Sequence, residues 1–524
     1  MKNAEQVQLP PSTEPRSALS LEEVHQCTRF LSELAENRIL LNRVPEEDRK
    51  ALLAAAGRLV HPDRDAKSRL QKALRRERTE TKREHDRVIR ATTEIRSLRR
   101  SPVFTAPQLP PPPPSEQGPE RVLEVPRRCY VCKAEYRKLH FFYDTLCREC
   151  GDFNYAKRTQ RAPLSGKVAL ITGARVKIGY QASLMLLRSG ARVIATTRFP
   201  LDSAERYARE PDFADWSHRL HIHGLDLRHA PSVELFARHI EQAHHRLDIL
   251  INNAAQTVRR PPGFYAHLLA GEQRRIDELR PELRPLLAGH VECVAAVQPT
   301  LGAGGTDPSS LMPTWRSTDP AIGIHSSAAL SLLPYALEQE GDTSALFPQG
   351  RLDADLQQVD LREMNSWRMK LADVSTAEML EVHLVNAVAP FILCGKLKPL
   401  MLRDRSSPGH IVNVSAMEGS FSRGTKTDKH PHTNMAKAAL NMMTLTSAPD
   451  YAKDNIFMNA ADTGWVTDED PAQHSERKQT ELDFHPPLDI VDGAARVVDP
   501  VMTSENTGQF VWGNFFKDYR HTPW

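Results

Sequence analysis

An alternation of apolar strand, glycine turn and helix between residues 166 and 198 restricts the fold of this chain more than any other feature. Residues 166–173 read GKVALITG, a short apolar strand that ends in a glycine turn. A helical pattern follows and ends at Gly190, and the next residues, ARVIATTR, form a second apolar strand. Such a β-α-β unit predicts an α/β fold with a parallel sheet, in which the glycine turn and the helix N-terminus can receive a phosphate group.

The composition limits the class of protein. At 524 residues the chain is too long for one compact core, so two or three domains are expected. A net charge of only +3 argues against a protein dedicated to nucleic-acid binding. No apolar run approaches the length of a membrane span, and the N-terminus lacks the apolar core of a signal peptide. We therefore expect a cytoplasmic protein without a membrane segment.

Shifts in composition divide the chain into five segments. A capping box of Ser20 and Glu23 marks the start of the helical patterns, and residues 110–114 are five consecutive prolines. The predicted segments are a disordered tail (1–18), a helical region with a basic helix (19–100), a proline-rich linker (101–126), a cysteine module (127–158) and a large α/β domain (164–524).

The partners of the first 126 residues stay open. Between His61 and Arg100 the sequence has 14 Lys or Arg residues against 7 Asp or Glu residues. This pattern is typical of a solvated helix or coiled-coil arm, and a surface for RNA, DNA or a protein is the alternative. Few aromatic residues lie among these charges, which argues against stacking on bases. The proline run favours an extended spacer, with docking to an SH3-like or WW-like domain as the alternative.

Two CxxC pairs form a candidate metal site. Cys129 and Cys132 are followed, after 14 intervening residues, by Cys147 and Cys150. Two such pairs can place four thiolates around one ion as a tetrahedron, which suits zinc. A closed four-cysteine site has no open position for a catalytic water, so we expect a structural Zn²⁺ that holds a small subdomain together. A redox-active dithiol pair is the alternative, and His140 is expected at the surface or in packing.

Motifs along the large domain resemble those of short-chain dehydrogenases/reductases. TGARVKIG at residues 172–179 is similar to the TGxxxGxG loop of that family, and LDILINNAA at residues 247–255 to its fourth strand and NNAG motif. VHLVNAVAPFIL, HIVNVSA, NMAKAAL and NAADTGWVT then follow in the family's order. The resemblance implies a Rossmann-type doubly wound parallel sheet and a bound nicotinamide dinucleotide. The cofactor contacts that it implies are Thr172, Gly173, Arg175, Lys177, Ile178, Gly179, Thr197, Arg198, Asp226, Asn253, Ala254, Lys437 and Thr467.

The end of the second strand of this domain bears on the choice between NAD(H) and NADP(H). Family members that use NAD(H) usually carry an acidic residue there, whereas this chain has Thr197 followed by Arg198. A carboxylate repels a 2′-phosphate, but a guanidinium can bind it through two hydrogen bonds. Arg175 and Lys177 are expected to add positive charge to the phosphate loop, and Lys177 replaces the family's middle glycine. We therefore expect NADP(H) rather than NAD(H).

The catalytic positions match the family only in part. Asn386 and Lys437 correspond to its catalytic-site asparagine and lysine. The serine that polarises the substrate carbonyl in the family is Ala416 here, with Ser415 immediately before it. The resemblance therefore implies catalytic roles for Asn386, Lys437 and Ser415.

The proton donor departs further from the family pattern. Thr433 occupies the position of the family's tyrosine, and a threonine hydroxyl is too weak an acid to replace a phenol near neutral pH. His430 and His432 lie just before it, and a histidine can supply a proton in this pH range. We hypothesise that one of them, His432 above all, does so. The alternative is that both are exposed loop residues.

A long insertion separates two of the motifs. Between Asn253 and Asn386 lie 132 residues, many more than in the family, and the extra segment is placed at 258–364. By topology it lies beside the mouth of the active site, because ligands bind at the carboxyl ends of the strands. It is interpreted either as a lid or partner-binding cap or as a partly disordered excursion. The family's usual helix-mediated homodimer is expected here, unless the insertion blocks it.

Two functions fit the sequence. The first is an oxidoreductase that prefers NADP(H) and moves hydride to or from an unidentified small carbonyl, imine or enone substrate with a divergent proton donor. The second is a catalytically silent, dinucleotide-binding sensor or scaffold fused to zinc and helical interaction modules. The altered catalytic positions and the insertion favour the second function, and the retained motifs favour the first.

Overall fold

The chain forms two compact units, Met1–Arg83 and Glu84–Trp524. The computed structural model describes residues 19–101, 103–104, 120–297, 319–333, 345–404 and 406–524. The predicted disordered tail and the proline run lie outside the described residues. In the first unit, α1 (Leu21–Glu36) and α2 (Glu46–Val60) contain no buried residue. The predicted capping box is confirmed, because Ser20 Oγ accepts a hydrogen bond from the Glu23 N–H at 3.2 Å.

The long helix α3 (Arg64–Ala91) crosses from the first unit into the second. It ends earlier than the predicted basic helix, and a separate helix, α4 (Glu94–Arg100), follows. Residues from 84 onward belong to the second compact unit, which therefore includes α4. Arg96 of α4 forms a buried ion pair with Asp144 at 2.6 Å, which explains why this segment joins the cysteine module.

The cysteine module is a small α+β element. Strands β1 (Val122–Arg128) and β2 (Glu135–Lys138) pair antiparallel, and helix α5 (Arg148–Arg158) follows. Its aromatic core joins residues of the large domain in one apolar cluster, which includes Phe142, Leu146, Val466 and Leu488. The module is therefore packed onto the large domain within the same unit.

An eight-stranded sheet forms the centre of the large domain. Its strands are β3 (Val168–Thr172), β4 (Arg192–Thr197), β5 (Leu220–Gly224), β6 (Ile249–Asn252), β7 (Gly409–Ser415), β8 (Ile456–Asp462), β9 (Phe515–Lys517) and β10 (Arg520–Thr522). The order across the sheet is β10-β9-β8-β7-β6-β3-β4-β5, and all neighbours are parallel except β9 and β10. The order reverses between β3 and β6, so the predicted doubly wound, Rossmann-type sheet is confirmed.

Helices cover both faces of the sheet. They are α6 (Lys177–Arg188), α7 (Pro200–Tyr207), α8 (Phe213–Trp216), α9 (Ala230–Ala243), α10 (Pro262–Glu272), α11 (Arg284–Val297), α12 (Ile322–His325), α13 (Thr376–His383), α14 (Ala389–Met401), α15 (Pro431–Lys453), α16 (Ala472–Leu482) and α17 (Ile490–Thr507). Alternate residues of β3 enter two apolar layers: Ala169 and Ile171 pack with α6 and α17, whereas Val168 and Leu170 pack with α9 and α14. This alternation buries β3 on both faces, as a central parallel strand requires.

The described parts of the 258–364 insertion are folded against the large domain. Phe264 and Tyr265 of α10 pack with Phe199, which follows β4. Helix α11 lies along the edge strand β5, where His290 Nδ1 accepts a hydrogen bond from the Gly224 N–H at 3.3 Å. The choice between a cap and a partly disordered excursion stays a prediction. The rest of the insertion lies outside the described residues.

The helix that carries Asn386 is continuous from Thr376 to Met401. Between α13 and α14 it contains one π-helical turn, Leu384–Val388, a local widening that often occurs at functional sites. By length and composition, Thr376–Met401 is the one described helix that could cross a membrane. Of its most apolar stretch, 56% is buried inside the fold. Such burial is expected for the core helix of a globular domain.

Candidate active site

The turn between β3 and α6 has no room for side chains at two glycines. Gly173 has a φ of +68°, and a Cβ there would lie 2.9 Å from Ala254 Cα. A Cβ on Gly179 would overlap the carbonyl oxygen of Gly173 and the side-chain amide of Asn253. Asn253 Nδ2 donates to the Thr172 carbonyl at 2.9 Å, and Thr172 Oγ1 accepts from the Ala254 N–H at 3.0 Å. The loop is thereby held open at the N-terminus of α6, where a phosphate can approach the backbone.

A cleft of about 530 Å³ lies above this loop, at the carboxyl ends of β3, β4 and β6. This is the switch point of the sheet, where ligands bind in open α/β folds. The lining includes the phosphate loop and the residues that end β4 and follow β5. Residues 357–360 of the insertion and 468–472 after β8 line it as well. Sequence reasoning placed the insertion beside the mouth of the site but named no residue of either segment, because neither segment carries a motif.

Arg198 enters the cleft from the end of β4 and meets neutral partners. Its guanidinium donates to Tyr265 Oη at 2.8 Å and to Ser331 Oγ at 3.1 Å. No carboxylate of the described residues lies within ion-pair distance of it. Burial would raise the pKa of Tyr265, but Arg198, Arg228 and Arg260 together lower it. The positive charge around the Tyr265 hydroxyl therefore favours an anion at this end of the cleft.

Two other predicted contacts at this end are already engaged within the protein. The Asp226 carboxylate is 1% exposed and receives the Arg228 guanidinium, with the shortest contact at 2.6 Å. Burial would raise the pKa of Asp226, but Arg228 holds it below its ordinary value. Thr197 Oγ1 accepts a hydrogen bond from the Phe199 N–H at 3.1 Å. Both residues line the cleft, and both shape its wall through these contacts.

The expected positive charge of the phosphate loop is largely neutralised. Arg175 forms an ion pair with Asp202 at 2.6 Å and donates to Gln357 Oε1 at 2.7 Å. Lys177 has a φ of +55°, a region that favours glycine, which explains the glycine of the family at this position. Burial would lower the pKa of Lys177, but nearby carboxylates, Glu469 first among them, raise it. Carboxylates therefore compensate both cations of the phosphate loop.

Asn386 and Lys437 are buried, and neither residue lines the cleft. Asn386 Nδ2 donates to the Gln256 carbonyl and its Oδ1 accepts from the Gln256 N–H, both at 2.9 Å. Lys437 Nζ donates to the Val414 carbonyl at 2.7 Å. Burial lowers the pKa of Lys437 to about 8. Both polar atoms of the Asn386 side chain are therefore hydrogen-bonded to Gln256, which follows β6. The Lys437 ammonium uses one N–H donor and retains two others.

Ser415 and Thr433 do not line the cleft. The Ser415 hydroxyl donates to Asn441 Oδ1 at 2.5 Å and is buried between β7 and α15. The contact does not fit the predicted catalytic role. Side chains alternate between the two faces of β7, and that of Ser415 points toward α15. Thr433 is 2% exposed, and its hydroxyl has no hydrogen-bond partner among the described residues.

His430 and His432 are buried, so their interpretation as exposed loop residues is wrong. The His430 ring stacks on Trp367 with centroids 3.9 Å apart. His432 Nε2 lies 3.6 Å from Glu378 Oε1 of α13, and neither ring nitrogen of His432 has a hydrogen-bond partner in the described part of the chain. His432 thus sits between α13 and α15, one residue before Thr433.

The loop after β8 carries the predicted contact Thr467. Its hydroxyl donates to Glu469 Oε1 at 2.7 Å. Burial would raise the pKa of Glu469, but Lys177 and Arg260 lower it, so the carboxylate is charged against the phosphate loop. Ile178 of the phosphate loop and Val466 of the loop after β8 both lie close to the Cα of Gly493. The loop after β8 and the phosphate loop are therefore neighbours on one side of the cleft.

The four predicted metal ligands lie together. The Sγ atoms of Cys129, Cys132, Cys147 and Cys150 are all within 4.8 Å of one another. Cys132 Sγ and Cys147 Sγ are 3.7 Å apart, close to the edge of about 3.8 Å that a tetrahedral site with Zn–S bonds of about 2.3 Å requires. His140 is buried, and its Nδ1 accepts the N–H groups of Phe142 and Tyr143. It packs rather than joining the thiol cluster.

Sequence-family profiles match two stretches of the large domain. A profile described as short chain dehydrogenase matches residues 167–300. A profile described as enoyl-(acyl carrier protein) reductase matches residues 350–486. Together they include the phosphate loop, the Asn386 helix and the Lys437 helix.

Comparison with individual proteins gives one long match and several short ones. The uncharacterized protein R665 of Acanthamoeba polyphaga mimivirus is 30% identical over 402 residues, which cover 75% of this chain and 74% of that protein. Human retinol dehydrogenase 13 is 35% identical over 94 residues, which cover 18% of this chain and 28% of the dehydrogenase. The chain thus matches under a third of that enzyme's length.

Solved structures of dehydrogenases and reductases also match. NADPH-bound carbonyl reductase from chicken fatty liver is 16% identical with a TM-score of 0.40, over 70% of this chain and 98% of the reductase chain. The family profiles, the order of the strands and the glycine loop at the switch point agree with one another. The chain belongs to the short-chain dehydrogenase/reductase family.

Proposed function

We propose that the protein is an oxidoreductase that prefers NADP(H) and transfers hydride between the nicotinamide and a small carbonyl, imine or enone substrate. The surroundings of Arg198 carry the proposal, because this cleft-lining guanidinium donates to Tyr265 and Ser331 and has no described carboxylate partner. The Arg198 charge interacts with the Asp226 carboxylate without an ion-pair contact, and a 2′-phosphate would add an anion that binds the guanidinium directly. A hydrogen bond to a charged group contributes about 1.5–3 kcal/mol, enough for about a 10- to 100-fold preference.

The glycine loop and the cleft fit a dinucleotide. Gly173 and Gly179 leave the backbone at the N-terminus of α6 open to a pyrophosphate, and the cleft of about 530 Å³ continues from there to Arg198. A bound nicotinamide donates or accepts the hydride. The protein positions it, and Lys437 has ammonium donors to hold the adjoining ribose.

His432 is our candidate for the proton donor that replaces the family's tyrosine. It is buried next to Thr433, and Glu378 lies 3.6 Å from its Nε2. A carboxylate at this distance can orient the imidazole ring. Both ring nitrogens lack a hydrogen-bond partner among the described residues, so one can hold a proton. Like Thr433, His432 lies outside the cleft lining, and its substitution tests whether that proton reaches the substrate.

A catalytically silent sensor or scaffold is the second candidate function. Two observations favour it. Ala416 occupies the position of the family's serine, and the neighbouring Ser415 hydroxyl donates its hydrogen bond to Asn441. In this case dinucleotide binding would regulate interactions of the helical and cysteine modules. The first function and the second both require the same cofactor cleft.

A structural Zn²⁺ in the four-cysteine site belongs to the same proposal. The spacing of the Sγ atoms fits a tetrahedral S₄ site, and a closed set of thiolates gives the metal a role in folding rather than in catalysis. A cytoplasmic location, a homodimer and a protein partner for residues 1–126 remain proposals from the sequence.

Turnover separates the two candidate functions. The full chain is incubated with NADPH and a panel of aldehydes, ketones, imines and enones, and NADPH oxidation is followed by absorbance. The oxidoreductase proposal predicts turnover with at least one compound. His432→Asn should then reduce kcat by about 100-fold or more, as expected for loss of a general acid, while His245→Asn at an exposed position leaves it unchanged.

Tight NADPH binding without turnover would favour the sensor. In that case Thr433→Tyr tests whether the site is intact but silenced, because the new phenol would stand four residues before Lys437, as in the family. Full turnover by His432→Asn would remove His432 as the proton donor.

A further inference from the structure

The cysteine module contacts the loop after β8 through Tyr130. This residue lies between the metal-site residues Cys129 and Cys132, and its hydroxyl accepts a hydrogen bond from the Trp465 N–H at 3.0 Å. Its own N–H donates to the Thr145 carbonyl at 2.9 Å, two residues before Cys147. Tyr130 is therefore fixed between the two CxxC pairs and touches the loop after β8.

That loop lines the cleft at one end and rests on the module at the other. Residues 468–470 line the cleft, whereas Trp465 is held by Tyr130 and Val466 belongs to the apolar cluster of the module. Gly464 has a φ of +73° and lies against Leu488, a residue of the same cluster. A shift of the module would therefore be transmitted to the carboxylates that face the phosphate loop.

A Cβ on Gly493 would meet Ile178 of the phosphate loop at 2.9 Å and Val466 of the β8 loop at 3.0 Å. This close packing joins the two loops, so the chain of contact runs from Tyr130 through the β8 loop to the phosphate loop. No motif of the family accounts for the Tyr130 contact, because it comes from the segment before the large domain.

We propose that the metal in the four-cysteine site, by fixing Tyr130, positions the loop of residues 463–470 and thereby sets the affinity of the cleft for the dinucleotide. The inference rests on the proposed dinucleotide binding. Without the metal, nothing cross-links the two CxxC turns, and the position of the Tyr130 hydroxyl is no longer fixed. Tyr130 is thus a positioning residue that acts through Trp465.

The module also has attachments that do not depend on the metal. Arg158 of α5 is buried against Asp489 and Asp492, at 2.7 and 3.0 Å, and Arg96 is paired with Asp144. These ion pairs should hold α5 and α4 on the domain when the metal is removed. Metal loss is therefore expected to release the Tyr130 turn first, so that a folded protein remains for measurement.

The substitution Tyr130→Phe tests the contact with the metal in place. It removes the hydroxyl that accepts the Trp465 N–H and retains the ring. The matched control is Tyr136→Phe, in the same module, whose hydroxyl donates to the Asp144 carbonyl at 2.9 Å and does not reach the loop. Zinc content should stay at one per chain in both variants. The NADPH Kd should rise about 3- to 10-fold in Tyr130→Phe, the range of one hydrogen bond, and stay unchanged in Tyr136→Phe.

Removal and return of zinc tests the metal itself. Chelation should weaken NADPH binding at least as much as Tyr130→Phe does, and added Zn²⁺ should restore it. In Tyr130→Phe, chelation should have a smaller additional effect than in the unsubstituted chain. Hydrogen exchange at the Trp465 amide gives a second readout, and its protection should fall in the variant and after chelation.

Two failures are distinguishable. If the zinc-loaded chain binds NADPH but neither Tyr130→Phe nor chelation changes its Kd or the protection of Trp465, the inference is overturned. If the zinc-loaded chain binds neither NADPH nor NADH, the proposed function itself fails, and the inference on affinity falls with it.

Discussion

At the residue scale, the charge of Lys437 is expected to change between pH 7 and pH 9. Its burial lowers the pKa to about 8, whereas an exposed lysine titrates near 10.4. The residue is therefore mostly charged at pH 7 and mostly neutral at pH 9. A charged ammonium is the stronger donor to ribose hydroxyls, because its hydrogen bonds are charge-assisted.

We predict that NADPH affinity falls about 3- to 10-fold between pH 7 and pH 9. The loss follows the deprotonation of Lys437 through its pKa of about 8. Titrations of the unsubstituted chain and of Lys437→Met at several pH values check it, because methionine keeps the stem without the ammonium. A Kd that is constant over this range, or that changes equally in both proteins, would show that Lys437 does not govern binding.

The sequence identifies the residues whose partners lie within a local motif and misses those brought together by the fold. Gly173 and Gly179 belong to a loop of fixed spacing, so their role is readable from eight residues. Tyr265 and Glu469 reach the cleft from segments without a motif. The position of Ser415 depends on the direction in which β7 turns its side chain, which the motif does not specify.

At the element scale, the phosphate loop packs closely against the start of α6 and the residues after β6. This close packing requires that Gly173 and Gly179 carry no side chain. A Cβ at Gly179 would enter the space of the Gly173 carbonyl and of the Asn253 amide. Both groups belong to well-packed surroundings, so neither can move far without breaking the hydrogen bonds of Asn253.

Gly179→Ala should therefore disturb binding and stability together. We expect a loss of about 1–3 kcal/mol in the free energy of unfolding, the usual cost of overpacking, and NADPH affinity reduced at least 10-fold. Gly395→Ala in α14 is the control, since a Cβ there meets nothing within 4 Å and alanine favours the helix. Denaturant unfolding and calorimetric titration measure both effects; equal behaviour of the two variants would contradict the packing argument.

Element boundaries were less predictable than element types. The strands and helices around the glycine loop follow from apolar pattern and turn residues, and the structure has them in the predicted order. The break between α3 and α4 is set by contacts such as the Arg96–Asp144 ion pair, which join residues far apart in the chain. The packing of α11 on the edge strand β5 also joins residues far apart in the chain, and no local sequence pattern indicates this contact.

At the scale of the whole molecule, the second unit contains the cysteine module, the sheet and the insertion, and described residues of the sheet and the insertion line one cleft. The family resemblance predicted a doubly wound parallel sheet and a ligand site at the carboxyl ends of its strands, because both follow from the β-α-β units. The sequence could not show that the cysteine module shares an apolar cluster with the loop after β8, since that contact joins segments more than 300 residues apart.

Calorimetric titration of the zinc-loaded full chain with NADPH and with NADH tests the central claim, a cleft that binds a dinucleotide with Arg198 facing its 2′-phosphate. We predict one NADPH per chain, bound at least 10-fold more tightly than NADH. Arg198→Ala should abolish this difference, whereas Arg192→Ala, at the exposed start of β4, should keep it. Absence of binding by either nucleotide, or equal affinities that Arg198→Ala leaves unchanged, would contradict the claim.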